Sequence, residues 1–230
     1  MPPILGLVIV AGGASRRFGS SNKLFETLNG KCLFLHCLEN LVPLVGTTHT
    51  VLVVSEGADE LFREQMPPSL NDVKLVYGGA ERAASALAGI QALPPEVDYV
   101  AIQDAARPFA TAALLEACFK EAVKCGGAIA AHRVTDTIKV ANSEGFIQET
   151  PERSKLWAAE TPQVFRRNWI EDAYTHCFRN NISVTDDAQA LQLLGHPVHL
   201  VENTACNMKI TYPDELKLAE LVFSQLAIRN

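Results

Sequence analysis

The 230-residue chain has no apolar run long enough to cross a membrane, and no basic leader precedes its apolar start. The stretch from Met1 to Val10 ends its apolar run at Gly12-Gly13. Metal-type spacing is absent as well. The six cysteines (Cys32, Cys37, Cys118, Cys125, Cys177 and Cys206) form no CxxC pair and sit mostly among apolar neighbours, as reduced core thiols do. His196 and His199 are three apart, but Pro197 between them breaks the helix that would align them as ligands. No Gly-Lys-Ser/Thr closes a phosphate loop and no GxGxxG occurs, which argues against P-loop NTPases and typical dinucleotide dehydrogenases. Positive charge is in deficit, with 20 Lys+Arg against 26 Asp+Glu and a net charge of −6. A surface of that sign does not coat itself with nucleic acid. The expectation is a reduced, cytoplasmic protein with neither a nucleic-acid nor a membrane partner.

What is present is a regular alternation. Hydrophobic residues make up 48%, enough to bury a sizeable core and to exclude global disorder. Ile4 to Val10, Thr50 to Val54, Val73 to Tyr77, Tyr99 to Gln103 and Ala128 to Ala131 read as buried strands. Between them lie helical faces: Phe34, Cys37, Leu38 and Leu41; Ala83, Leu87 and Ile90; Leu115, Cys118, Phe119 and Ala122. A last helix opens at Pro213-Asp214-Glu215 and uses Leu216, Ala219, Val222, Phe223 and Leu226. This rhythm predicts an α/β fold with a mainly parallel sheet and helices on both faces, as one domain over residues 1–230. From about His132 to Arg153 the pattern alternates polar and apolar around Asn142-Ser143-Glu144-Gly145, predicting an inserted β-hairpin. It is too small for its own core and should pack on another surface, such as a second subunit.

Three loops follow strands. Ala11-Gly12-Gly13-Ala14-Ser15-Arg16-Arg17, with Asn22-Lys23 beyond, puts small residues and three cations after the first strand. Small residues let backbone N–H groups approach phosphate oxygens, and the cations neutralise them; the bland alternative is a tight turn with a solvated basic face. Gly78-Gly79-Ala80-Glu81-Arg82, with Ser85, follows the third strand, where its backbone can meet a flat base, although glycines and a backbone-facing Ser85 also suit an ordinary connection. Asp104-Ala105-Ala106-Arg107-Pro108 ends the most apolar strand. Asp104 there can hold Mg²⁺ on a nucleotide's phosphates or can simply pair with Arg107. Thr185-Asp186-Asp187 reads as a helix cap without chemistry.

Taken in order, these segments resemble the 2-C-methyl-D-erythritol 4-phosphate cytidylyltransferase family. The resemblance runs from about Leu7 to Leu218 and includes Gly78-Gly79-x-x-Arg82-x-x-Ser85, Asp104-Ala105-Ala106-Arg107-Pro108, Thr135-Asp136-Thr137-Ile138-Lys139, Leu156-Trp157, Thr161-Pro162-Gln163 and Asn207-x-Lys209-x-Thr211. It implies a Rossmann-like nucleotidyltransferase whose hairpin arm, at about 132–153, forms a homodimer. It implies transfer of CMP from CTP to methylerythritol phosphate with Mg²⁺. By resemblance, Ala11, Gly12, Gly13, Arg17 and Lys23 hold the triphosphate, Gly79, Ala80, Arg82 and Ser85 surround cytosine and ribose, and the metal ligand Asp104 and its neighbour Ala105 also bind the CTP. Arg107, Thr161 and Lys209, with Thr137 and Arg153 of the arm, hold the acceptor, and Arg17, Lys23 and Lys209 are the catalytic cations. Asn22 stands where a proline is usual, and Ala80 and Ala84 where aspartates are frequent. The rival readings are a ribitol-5-phosphate cytidylyltransferase, whose relatives tend to carry Ser-Val at Ala105-Ala106, and a non-catalytic nucleotide-binding module.

Charge distribution reconciles an acidic chain with an anionic substrate. Residues 1–31 carry Arg16, Arg17, Lys23 and Lys31 against Glu26 alone, a local +3 that leaves −9 for the rest. A compact cationic site on an acidic body focuses phosphate locally while repelling bulk polyanions.

Overall fold

A computed structural model describes residues 1–13, 18 and 22–229, with side chains through residue 225. Leu226 of the predicted terminal face lies outside those side chains, as do Ala14, Ser15, Arg16 and Arg17 of the first loop outside the described residues. The strands are β1 (Leu5–Val10), β2 (Thr27–Leu28), β3 (Lys31–Cys32), β4 (Thr50–Val54), β5 (Lys74–Tyr77), β6 (Tyr99–Asp104), β7 (Gly127–Arg133), β8 (Val140–Ala141), β9 (Ile147–Glu149), β10 (Trp157–Arg166) and β11 (His199–Glu202). The helices are α1 (Leu33–Val45), α2 (Asp59–Gln65), α3 (Arg82–Ala92), α4 (Ala112–Cys125), α5 (Arg167–Arg179), α6 (Asp187–Leu193) and α7 (Pro213–Arg229).

Seven strands make the central sheet, in the order β11-β7-β10-β6-β1-β4-β5. All run parallel except β10, which is antiparallel to both β6 and β7. Side chains alternate between two cores, as the period of a strand dictates. Leu7, Ile9, Leu52, Val54 and Ala101 meet α1, α2, α4 and α7 on one face. Val8, Val51, Val53, Val100 and Ile102 meet α3, α5 and α6 on the other. The predicted parallel sheet with helices on both faces is what forms.

Sequence order reverses at β1, with β4 and β5 on one side and β6 on the other. Loops leaving β1 and β6 therefore diverge and open a crevice at the carboxyl edge, the usual ligand position in such sheets. Strand β10 adds to the same edge for a different reason. Being antiparallel, it pairs Gln163 with Ile102, which sets Thr161 and Glu160 beside the end of β6. After β11 the chain returns along this edge through residues 203–212. Glu215 then starts α7 by accepting from the backbone N–H of Tyr212 (2.9 Å).

The predicted hairpin exists as β8 and β9, which pair only with each other among the described residues. The Asn142 side chain accepts from the N–H groups of Glu144 and Phe146, and Gly145 takes a φ of +88° to close the turn. No described helix is long and apolar enough to cross a membrane.

Candidate functional site

At the carboxyl edge lies a cavity of about 450 Å³, walled by Ala11–Gly13, Lys23, Gly79–Arg82, Ser85, Asp104, Ala106, Lys209 and Thr211. The N–H of Ala11 donates to the carbonyl of Val53 (2.7 Å), and Ser55 Oγ donates to the carbonyl of Gly12 (3.0 Å), which fixes the turn after β1. A Cβ on Gly13 would meet nothing within 4 Å among the described residues, so they leave its backbone open to close approach. On the facing loop, Ser85 Oγ donates to the carbonyls of Glu81 (3.1 Å) and Gly79 (3.3 Å). A Cβ on Gly79 would sit 2.6 Å from that of Ala84, so this loop packs tightly on the first turn of α3.

Lys23 enters through a short 3-10 turn capped by Asn22, whose Oδ1 accepts from the N–H of Leu24 (3.1 Å). Lys23 Nζ donates to the carbonyl of Ile210 (2.6 Å), which ties the first loop to the segment before α7. On the opposite wall, Asp104 is almost fully buried among cations. Its Oδ2 accepts from Lys209 Nζ (2.7 Å), its Oδ1 accepts from Arg82 Nε (3.2 Å), and Arg107 Nε lies 3.8 Å from Oδ2. Burial pushes this carboxyl up, but Arg82, Lys209 and Arg107 outweigh it and hold Asp104 below the usual carboxylate range.

Behind this wall a second layer fixes the first. The Arg82 fork is bidentate to Asp187, with Nη2 to Oδ2 at 2.9 Å, and the fully buried Tyr174 hydroxyl donates to the same carboxylate. Desolvation works against the charge on Arg82, yet Asp187 and Asp104 hold its pKa above the ordinary value. Glu160 is also buried. It accepts from Asn203 Nδ2 (2.9 Å), Asn207 Nδ2 (2.8 Å) and His132 Nδ1 (2.7 Å). Asn207 in turn receives Arg107 Nη1 on its carbonyl (2.7 Å) and donates to the carbonyl of Thr161 (2.9 Å). The Asn207–Lys209 segment is thereby pinned against β6 and β10.

Comparison with known proteins follows the same outline. A family profile described as 2-C-methyl-D-erythritol 4-phosphate cytidylyltransferase (IspD) matches residues 5–225. The chain belongs to this cytidylyltransferase family. It is 38% identical to the family's protein from Microcystis aeruginosa over 222 residues, covering 95% of this chain and 98% of that one. Identity to the protein from Trichodesmium erythraeum is 39% over 221 residues, with the same two coverages. Among solved structures, the cytidylyltransferase from Thermus thermophilus superposes with a TM-score of 0.79 at 28% identity, over 95% of this chain and 98% of that one. A synthase from Anaerococcus prevotii reaches 0.87 at 23% identity, over 96% of this chain and 99% of that one, and supports the fold.

Of the residues that the resemblance to the cytidylyltransferases singled out, Ala11, Gly12, Gly13, Lys23, Gly79, Ala80, Arg82, Ser85, Asp104 and Lys209 all wall the one cavity. Arg17 lies outside the described residues. Ala105 does not reach the cavity: it is buried and donates its N–H to the carbonyl of Val10 (3.1 Å), whereas its neighbour Ala106 lines the wall. Arg107 stands behind Asp104, its Nε without a hydrogen-bond partner among the described residues. Thr161 is buried, and its Oγ1 accepts from the N–H of Asp104 (3.1 Å). Within one chain Thr137 and Arg153 stay on the exposed arm, where Arg153 Nη1 donates to the carbonyl of Thr135 (2.8 Å).

Sequence reasoning missed Asp187, Tyr174 and Glu160. Asp186 is the cap expected of the Thr185-Asp186-Asp187 segment, accepting from the N–H of Gln189 (2.9 Å), but Asp187 holds Arg82. Two adjacent acids at a helix start, only one of them needed as a cap, were the available signal.

Proposed function

We propose that the chain transfers CMP from CTP to 2-C-methyl-D-erythritol 4-phosphate, releasing pyrophosphate and leaving the CDP-linked alcohol. The observation that carries this reading is the cavity, in which exposed loop backbone faces Lys23 and Lys209 at the switch point of a sheet of this family. The triphosphate lies along Ala11–Gly13 with Lys23 and Arg17, and the base lies against Gly79, Ala80 and Ser85. Each nitrogen of Arg82 already faces a carboxylate, so Arg82 acts through Asp104 and not as the main ligand of the nucleotide.

Asp104 fits Mg²⁺, which is held by one or two carboxylates together with substrate phosphates and waters. Bound there with CTP, the ion would supply charge neutralisation at the phosphates. The remaining work belongs to the chain. A phosphate oxygen of the acceptor attacks the α-phosphorus in line; the new P–O bond forms as the bond to the β-phosphate breaks, and pyrophosphate leaves. That oxygen is ionised near neutral pH, so no side-chain base is required. Lys23 and Lys209 neutralise the anionic transition state, and rigid loops orient the reactants.

Acceptor binding falls to Arg107, Thr161 and Lys209, completed by Thr137 and Arg153 from the arm of a second copy. The homodimer reading rests on the arm's exposed apolar surface: Phe146, Ile147, Val140 and Ile138 are all uncovered in one chain, 68% and 65% exposed for the first two. A reducing, cytoplasmic setting suits its six free thiols.

The deciding experiment is pyrophosphate release from CTP and Mg²⁺, with methylerythritol phosphate or ribitol phosphate as acceptor. Release with the first acceptor supports the proposal, and preference for ribitol phosphate reassigns the substrate. No release with either, from folded protein, removes the activity.

A further inference from the structure

Two carboxylates compete for one guanidinium in the wall of the cavity. The fork nitrogens of Arg82 go to Asp187, whereas Asp104 receives only Nε, at 3.2 Å. A bidentate fork is the strongest way for arginine to hold a carboxylate, so whichever acid takes it is the better neutralised. Asp187 is fully buried, lies outside the cavity wall and is further fixed by the Tyr174 hydroxyl. The other cations at Asp104 hold it differently, Arg107 with its Nε 3.8 Å from Oδ2 and Lys209 in direct contact at 2.7 Å. Lys209 is a point charge on a flexible stem, with 35% of its side chain exposed, and can exchange with another cation.

We propose that Asp187 is a positioning residue that draws the fork of Arg82 away from Asp104, leaving Asp104 with charge and a reachable oxygen for a divalent cation. The proposal rests on the reading of Asp104 as the Mg²⁺ ligand. Without the anion at position 187, the fork turns to Asp104, and an incoming cation must displace a buried bidentate pair. The loss then appears in metal affinity and not only in stability.

The test uses Mn²⁺ as probe, titrated onto the full chain with saturating CTP and followed by water-proton relaxation, with thermal melts to confirm folding. Wild type is expected to bind Mn²⁺ in a manner lost in Asp104→Asn. Asp187→Asn should weaken binding on the order of tenfold, the size of an ordinary coupling between sites. Tyr174→Phe disturbs the same buried cluster but keeps the anion, so it should melt lower while holding Mn²⁺ as wild type does. Asp187→Glu also keeps the anion and should retain wild-type affinity, which leaves a result to read even where Asp187→Asn does not fold. Wild-type affinity in folded Asp187→Asn, or weakening in Tyr174→Phe or Asp187→Glu, overturns the proposal. Undiminished Mn²⁺ binding in Asp104→Asn overturns the metal reading itself, and the proposal with it.

Discussion

Lys209 has two duties that one ammonium meets in turn. It neutralises Asp104 at 2.7 Å, and in the proposed reaction it faces the phosphates. Lys23 is similarly double, bound to the carbonyl of Ile210 and lining the cavity. Removing either ammonium by Lys23→Ala or Lys209→Ala should lower kcat by about two to three powers of ten, the usual cost of losing a donor to a developing charge. Circular dichroism should show the fold intact, and near wild-type turnover would take that lysine out of the mechanism. The buried thiols give a separate, pH-dependent expectation. Burial, with a smaller contribution from the Glu160 charge, pushes Cys118 up to about 12, and burial also raises Cys37 and Cys177. A thiol in the unfolded chain titrates near 8.5, so the folded state binds more protons at alkaline pH. Stability from these groups is complete below about pH 8.5 and declines as pH rises toward the folded values. Melts across that range should show the decline, and Cys118→Ala should make it shallower. An unchanged slope in that variant would mean that Cys118 does not carry it.

Helix α3 shows how an element transmits sequence to site. It begins at Arg82, carries Ser85 on its first turn and runs over β1 and β4 at Gly89. A Cβ at Gly89 would stand 2.4 Å from Val8 Cγ1 and 2.7 Å from Val53 Cγ2, both on stiff β-branched side chains. Gly89→Ala should therefore cost about 1–3 kcal/mol through overpacking. It should also raise the KM for CTP, because the displaced helix moves Arg82 and Ser85. Denaturant unfolding and steady-state kinetics test the two effects, and unchanged stability would mean that the sheet absorbs the methyl. Elements of this kind, with a clean period and small residues at loops, were legible in the sequence: the five predicted strands form within a residue or two of their expected limits. Strands β10 and β11 were not. Glu160, Thr161, Pro162 and Gln163 interrupt the apolar pattern of β10, and their burial is tolerable only through partners distant in sequence, such as Asn203 and Asn207. The four residues of β11 are too few to show a period. Helix α5 was not among the predicted helices, although Ile170, Ala173, Tyr174 and Cys177 share one helical face and are all buried. The loop cations and Asp104 were visible because a strand's end marks a position, whereas Asp187 matters only through a side chain more than a hundred residues away.

At the scale of the whole molecule, one chain does not bring its proposed acceptor ligands together. Lys209 is in the cavity wall, Arg107 stands behind Asp104, and Arg153 remains on an exposed arm. The arm buries none of its large apolar side chains, and the two-stranded sheet it forms pairs with no other strand among the described residues. An isolated hairpin of that size is marginal in water, so a partner surface should hold it. If each arm completes the other subunit's site, two inactive variants can repair one another. Lys209→Ala spoils the cavity but keeps a sound arm, and Arg153→Ala does the reverse. In a mixed dimer the sound arm of the first reaches the sound cavity of the second, which restores one site, while the other site lacks both residues. Random exchange makes half of the dimers mixed, each with one good site of two, so activity should recover to about one quarter of wild type in a two-fold symmetric dimer. The measurement is pyrophosphate release after the two variants are unfolded and refolded together, set against each refolded alone. No recovery from dimers shown by sedimentation to have exchanged would mean that Arg153 serves its own chain's cavity.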